Sequence, residues 1–472
     1  MPPSRSWWPT SEASPLNPMP SASSRRRRPE GRRRAMEPPI RIDWPGRTAL
    51  RPPEAGPKWR AVERFGPDAS CVRLCHGDNL EALAGLVPEY KGCVGLVYLD
   101  PPFGTGRRFA AADGAYVAYE DRFEGGVAGL LSMLEPRLRL VAELLAPTGS
   151  LYVHVDPIAV HPVKLLLDEI LGPRCFQREI VWRIGWISGF KAAQRNWVRN
   201  HDTILFYTKH PTRFTFHKVY VPHRPGYRRR GGGRGGRSGV AVGDVWNAGP
   251  EDLALEGAAS LDSIQIKSLS REKTGYATQK NESLLARIVG ASSNEGDVVL
   301  DPFCGSGTTL AVAARMGRRA VGIDASPVAV DVVRRRILTR ERTGLTVQVP
   351  GNAVPRVRSA PLGVRVCNEA EGAVSVRLET VRDGAGGEVP DERVGGWAVG
   401  TVDRDGCFVA SAHAMRPLPT GDLERRLGPV RPARRARRLD LEVRVFASDG
   451  SVWSRPVRLV RREGRWRRVR DP

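Results

Sequence analysis

"VVLDPFCGSGTT", residues 298–309, decides how the rest of the chain is read. Val298, Val299 and Leu300 make a short apolar run of the kind that forms a strand buried on both faces. Asp301 and Pro302 end that run, and Gly305 and Gly307 lead through hydroxyl residues into a helix starting near Thr308. In a doubly wound fold, a nucleotide-like ligand sits at such a junction, outside the carboxyl ends of the strands. The glycines permit unusual backbone angles and let the main chain come close to a ligand. A phosphate loop needs a lysine before the hydroxyl residue, and a dinucleotide site needs a third glycine in register; this stretch has neither. Next, "RRAVGIDASP" ends another strand in Asp324, spaced for a carboxylate that accepts hydrogen bonds from ribose hydroxyls. A ligand with a ribose but no pyrophosphate satisfies both features, and S-adenosylmethionine is the leading candidate.

Upstream, "LVYLDPPFGTG" at 96–106 repeats the design with different chemistry. The apolar Leu96–Leu99 run ends in Asp100, Pro101, Pro102 and Phe103. An exocyclic nucleobase amine attacks poorly because its lone pair is delocalised into the ring. If Asp100 and the carbonyl of Pro101 accept its two hydrogens, the nitrogen can rehybridise and aim the lone pair at an electrophilic methyl. Prolines fix φ and supply carbonyls without competing N–H donors. Phe103 offers a flat face for a base rotated out of a duplex.

Outward from these motifs, residues 61–345 alternate strand-like and helix-like segments, as in "EPRLRLVAELLAPTGSLYVHVD" and "ESLLARIVGASSNEGDVVLD". That alternation predicts a mostly parallel sheet with helices on both faces. Residues 175–277 are less regular and more basic, and contain the Gly/Arg stretch "RRRGGGRGGRSGV" at 228–240. Residues 1–60 are rich in Pro, Ser and Arg and read as a disordered tail. After 345 the pattern becomes apolar–polar alternation, with Asp405-Gly406 and Asp449-Gly450 at expected hairpin turns. Residues 346–472 are therefore expected to form a small all-β domain, a sandwich with a basic C-terminal tail.

The 472-residue chain carries a formal charge of +23, which argues for a polyanionic partner, nucleic acid being the simplest. Seven scattered cysteines point to a reducing compartment. No apolar run reaches the length of a membrane span, and no signal-peptide core is seen, so a cytoplasmic protein without membrane association is expected. His154 and His201 are read as structural histidines. Cys71, Cys75 and His76 match no metal spacing, and no metal is expected.

"DPPF", "TQKNESLL" and "DPFCGSGTT", in that order, resemble bacterial and archaeal amino-group DNA methyltransferases, of the class whose catalytic motif precedes the cofactor motif. The resemblance spans about residues 68–345 and takes in "HGDNLEAL" at 76–83, "NHDTILFYTKH" at 200–210 and "TGYATQK" at 274–280. It implies a Rossmann-like doubly wound α/β sheet with an inserted target-recognition region at about 175–277. It also implies methyl transfer from S-adenosylmethionine to an exocyclic amine of double-stranded DNA. Asp100, Pro101, Pro102 and Phe103 correspond to the catalytic tetrapeptide. Asp301, Phe303, Gly305, Gly307, Thr308 and Asp324 belong to the cofactor site; Asp78 approaches the cofactor's adenine ring, and Thr278, Gln279 and Lys280 border its methionine end. Asn281 stands where many relatives have proline. An aspartate at the head of "DPPF" favours adenine N6 over cytosine N4 as target. The alternatives are the cytosine reaction and a non-catalytic DNA-binding protein on the same fold. A cognate restriction endonuclease and a second copy of the chain are the other expected partners.

Overall fold

A computed structural model describes residues 40–47, 52–53, 55–66, 71–103, 107–110, 117–121, 123–183, 195–221, 240–246, 272–353, 357–383, 385–418, 421–432, 436–463 and 465–469. The Gly/Arg stretch at 228–239 and residues 1–39 lie outside the described residues.

The first half of the sheet is built from β1 (Trp59–Phe65), β2 (Val72–His76), β3 (Val94–Leu99), β4 (Leu145–Val155), β5 (Phe176–Arg183), β6 (His201–Thr208) and β7 (Val245–Trp246). Three more strands follow, β8 (Val298–Asp301), β9 (Arg319–Asp324) and β10 (Leu345–Pro350). Their spatial order is β7-β5-β6-β4-β3-β8-β9-β2-β10-β1. The run from β4 to β10 is parallel, whereas β5, β6 and β1 pair antiparallel to their neighbours toward that run. The helices are α1 (Asn79–Tyr90), α2 (Val127–Leu144), α3 (Val160–Leu171), α4 (Glu282–Ser292), α5 (Thr308–Arg315) and α6 (Pro327–Arg336).

Side chains alternate across a strand, so one strand feeds two cores. Val97 and Leu99 of β3 pack with α1, α2 and α3, while Leu96 and Tyr98 pack with α4, α5 and α6. This is the doubly wound arrangement expected. Because β3 lies beside β8, the strand tips bearing the two motifs are neighbours. Among the described residues, no helix is long and apolar enough to cross a membrane.

Three features differ from the expectation. Residues 40–47, assigned to a disordered tail, lie against the helices. Trp44 is buried, its Nε1 donates to Ser132 Oγ at 2.8 Å, and Arg47 bridges Glu135 of α2 and Glu169 of α3 at 2.9 Å each. The segment assigned to target recognition begins with β5 and β6, which are full members of the catalytic sheet. Finally, the C-terminal strands continue that sheet. β11 (Val394–Val402), β12 (Phe408–Met415), β13 (Arg438–Ala447) and β14 (Val452–Arg462) join it through a short parallel pairing of β12 with β1. A three-stranded sheet of Gly363–Asn368, Val374–Thr380 and Arg426–Val430 shares a core with this extension, which makes a sandwich. Gly406 and Gly450 take positive φ at the two hairpin turns read from the sequence. Where the two regions meet, Arg334 of α6 donates to the buried Glu63 at 2.9 and 3.0 Å and stacks on Phe446.

Candidate active site

The carboxyl ends of β3, β8, β9 and β2 lie side by side. The parallel register sets Asp301 beside Gly322 and Asp324 beside His76, so the tips are nearly flush. Each strand ends in an acidic residue at or just past its tip: Asp100, Asp301, Asp324 and Asp78. They surround a cavity of about 480 Å³. Every site residue expected from the sequence lines it except Gly307.

The glycine turn is organised from below. Asp301 is buried; its Oδ1 accepts from the Phe303 N–H at 3.0 Å, and its Oδ2 accepts from the Thr309 hydroxyl at 2.5 Å. Burial pushes its carboxyl up to about 7, and the charges of Asp100 and Asp324 add to that rise. Its geometry is that of a brace for the loop. Gly305 has a φ of 47° and donates its N–H to Asp324 Oδ2 at 2.9 Å. Asp324 Oδ1 accepts from Ser326 N–H at 2.8 Å. Burial raises the Asp324 carboxyl above its ordinary value, and these two N–H donors oppose the rise. A carboxylate has about four lone-pair sites, so Asp324 retains capacity for hydroxyl donors from a ligand. Gly307, the residue that caps α5, faces the protein: a Cβ there would lie 2.8 Å from Val333 Cγ2 of α6.

The other cofactor candidates divide the same way. Asp78 caps α1, accepting from the Leu80 and Glu81 N–H groups at 2.8 and 3.2 Å, and pairs with Arg137 at 3.1 Å. Gln279 staples its own loop: its Oε1 accepts from the Thr274 N–H and hydroxyl, and its Nε2 donates to the Glu272 carbonyl at 2.7 Å. Thr278 holds a positive φ of 59°, a costly conformation for a β-branched residue. The Thr308 hydroxyl donates to the Lys280 carbonyl at 3.1 Å, tying this segment to α5.

At the tip of β3, Pro101 is buried and Asp100, Pro102 and Phe103 are half-buried. Lys280 Nζ donates to Asp100 Oδ2 at 2.5 Å. Asp100 Oδ1 is buried and has no hydrogen-bond partner among the described residues. Beneath Phe103 lies His154, with ring centroids 6.1 Å apart. His154 Nδ1 bonds the Tyr98 hydroxyl at 2.8 Å, and its Nε2 stands 3.5 Å from Asp202 Oδ2. Burial acts to raise the Asp202 carboxyl, but the facing His154 and Arg199 outweigh it and hold the group well below the usual carboxylate range. His154 is thus a buried, hydrogen-bonded support of the motif, as its reading as a structural histidine anticipated.

Ten lining residues are not among the site residues expected from the sequence, Asn79, Tyr98, Tyr276 and Ser326 among them. Asn79 follows the α1 cap, and its Nδ2 donates to the Pro302 carbonyl at 2.9 Å, linking the first motif region to the last. Tyr276 lays its ring over Gly305, 3.2 Å from where a Cβ would stand. Their neighbours in the chain pointed to the region, but only folding brings them to the cavity.

Residues 94–335 match the DNA methylase family of amino-group methyltransferases. The chain belongs to that family. It is 33% identical over 313 residues to the type II methyltransferase M.EcaI of Enterobacter cloacae, covering 55% of this chain and 68% of that one. It is 29% identical over 282 residues to the DNA adenine methyltransferase YhdJ of Escherichia coli K12, covering 58% and 84% respectively. Among solved structures, the cytosine-N4-specific PvuII DNA methyltransferase aligns with a TM-score of 0.37 and 18% identity, covering 58% of this chain and 88% of that one. This chain is therefore a DNA methyltransferase that acts on double-stranded DNA with S-adenosylmethionine as methyl donor. The cavity suits that donor. Asp78, Asp100 and Asp324 outnumber the one cation, Lys280, among the charged lining residues, which favours a positively charged ligand, while the buried Asp301 carboxyl stands apart as the brace.

Proposed function

We propose that this methyltransferase modifies the N6 amino group of adenine, flipped out of duplex DNA, and that Asp100 and Pro101 accept the amine's hydrogens. The observation that carries the proposal is the open, buried Oδ1 of Asp100 at the wall of the cavity. A buried carboxylate oxygen without a donor is costly, and a substrate N–H relieves that cost. The Pro101 carbonyl is the second acceptor, and its ring keeps the local backbone from competing as a donor. Phe103, backed by His154, provides the face against which the base stacks.

Gly305 lends its backbone to the cofactor loop, and Asp324 receives the cofactor's ribose hydroxyls. Phe303 and Thr308 flank that pocket. Asp301 acts as brace, and Asp78 and Gln279 shape the wall through the contacts described above. When bound, S-adenosylmethionine supplies a methyl carbon made electrophilic by its sulfonium. This chain contributes orientation and fixed acceptors, which together account for large rate effects without metal chemistry.

Adenine is preferred because the head of the tetrapeptide is aspartate and because one relative matched over most of its length is named a DNA adenine methyltransferase. Relatives named as type II enzymes support a cognate endonuclease as the biological partner and a cytoplasmic setting for this chain. The test is transfer of labelled methyl from S-adenosylmethionine to duplex DNA, followed by digestion to nucleosides. Label in N6-methyl-2′-deoxyadenosine supports the proposal. Label in N4-methyl-2′-deoxycytidine replaces it with the cytosine reaction, and absence of transfer defeats it.

A further inference from the structure

Lys280, which the family resemblance sets at the cofactor's methionine end, contacts Asp100. We propose that Lys280 is a positioning residue for methyl transfer: it fixes the Asp100 carboxylate through Oδ2 so that Oδ1 points at the target amine. The inference rests on the amine-transfer reading above.

Three observations carry it. The ammonium sits 2.5 Å from Oδ2, while Oδ1 of the same carboxylate is buried and open. A carboxylate with one oxygen tied has a defined plane, and a lysine, as a point donor, ties only one oxygen where an arginine fork would engage two. The lysine is itself held. Its side chain is only 15% exposed, its carbonyl accepts from the Thr308 hydroxyl, and the preceding Gln279 is stapled to residues 272 and 274. Finally, Nζ lies 5.6 Å from the Phe103 ring centroid, so one cation touches both the acceptor and the stacking platform. Asp324 lies at a neighbouring tip, and a positive charge beside Asp100 offsets the repulsion between these two carboxylates.

A cofactor-wall lysine and a positioning lysine give different results when removed. In the full chain, Lys280→Met is expected to lower the single-turnover transfer rate about 100-fold, the cost of misplacing a reacting group by about 1 Å. The Kd for S-adenosylmethionine and the KM for DNA are expected to stay unchanged, and Lys280→Arg to recover part of the rate through its retained charge. A rate that is unaffected or raised by Lys280→Met, or a loss that appears in the cofactor Kd, overturns the proposal. A second readout needs no turnover. Acylation of Lys280 by an amine-reactive ester, followed by mass spectrometry, is expected to be faster in Asp100→Ala than in the parent. Equal labelling means that the pair is absent in solution and also overturns the proposal, whichever base the enzyme methylates.

Discussion

Replacing Gly307 by alanine separates the two glycines of the cofactor turn, which the sequence alone treats alike. Gly307 has a φ of 71°, and a Cβ there would stand 2.8 Å from Val333 Cγ2. Val333 is fully buried between α6 and the sheet. The left-handed conformation costs an alanine about 1–2 kcal/mol. Forcing Val333 back in a packed core costs about 1–3 kcal/mol more. The sum, about 2–5 kcal/mol, is a large share of the about 5–15 kcal/mol that stabilises a typical domain. Urea unfolding followed by circular dichroism measures the loss, and titration with S-adenosylmethionine in dilute buffer measures binding by the folded protein. The expected result is a much lower unfolding midpoint with cofactor affinity nearly intact. Gly305→Ala is the contrast, since among the described residues its Cβ would come nearest the Tyr276 ring, at 3.2 Å, and would stand in the cavity wall. A Gly307→Ala protein of parental stability that no longer binds cofactor would refute the packing argument.

Two further outcomes follow from the site. Asp301 titrates near 7 in the folded protein against an ordinary value of 3.8, so its folded form holds a proton that the unfolded chain has released. Its contribution is greatest below pH 4 and is lost as pH rises through 7, by up to about 4 kcal/mol. Asp301→Asn keeps an acceptor for Phe303 and a partner for Thr309, so its thermal unfolding between pH 5 and 8 should lack that decline; parallel curves for the two proteins would contradict this. Asp324→Ala removes the acceptor of the Gly305 and Ser326 N–H groups and should weaken S-adenosylmethionine binding in a calorimetric titration before it affects the transfer rate at saturating cofactor; unchanged affinity would count against the ribose role.

Much of the catalytic half was legible because its grammar is local. An apolar run, an acid and then proline or glycine mark a strand tip whatever the distant chain does, so the sequence alone places Asp100, Asp301 and Asp324 at strand ends. The Asp78 cap of α1 is local, but its ion pair with Arg137 joins residues 59 positions apart. The Lys280–Asp100 pair joins residues 180 positions apart and leaves no local trace. The tail failed as a prediction where Trp44 and Arg47 find α2 and α3, since a Pro/Arg-rich composition hides one buried tryptophan. Apolar alternation in the C-terminal strands gave the hairpins correctly. It could not show that Phe408 and Val409 would pair with β1, because two residues of parallel ladder set that continuity.

The central claim is that Asp100 is the acceptor that turns the target amine into a nucleophile, and Asp100→Ala under single-turnover conditions tests it most directly. With S-adenosylmethionine affinity preserved, methyl transfer to adenine in duplex DNA should fall about 100- to 1,000-fold, the loss typical of one preorganised electrostatic contact. Transfer at the parental rate by a folded, cofactor-binding Asp100→Ala protein would contradict the account.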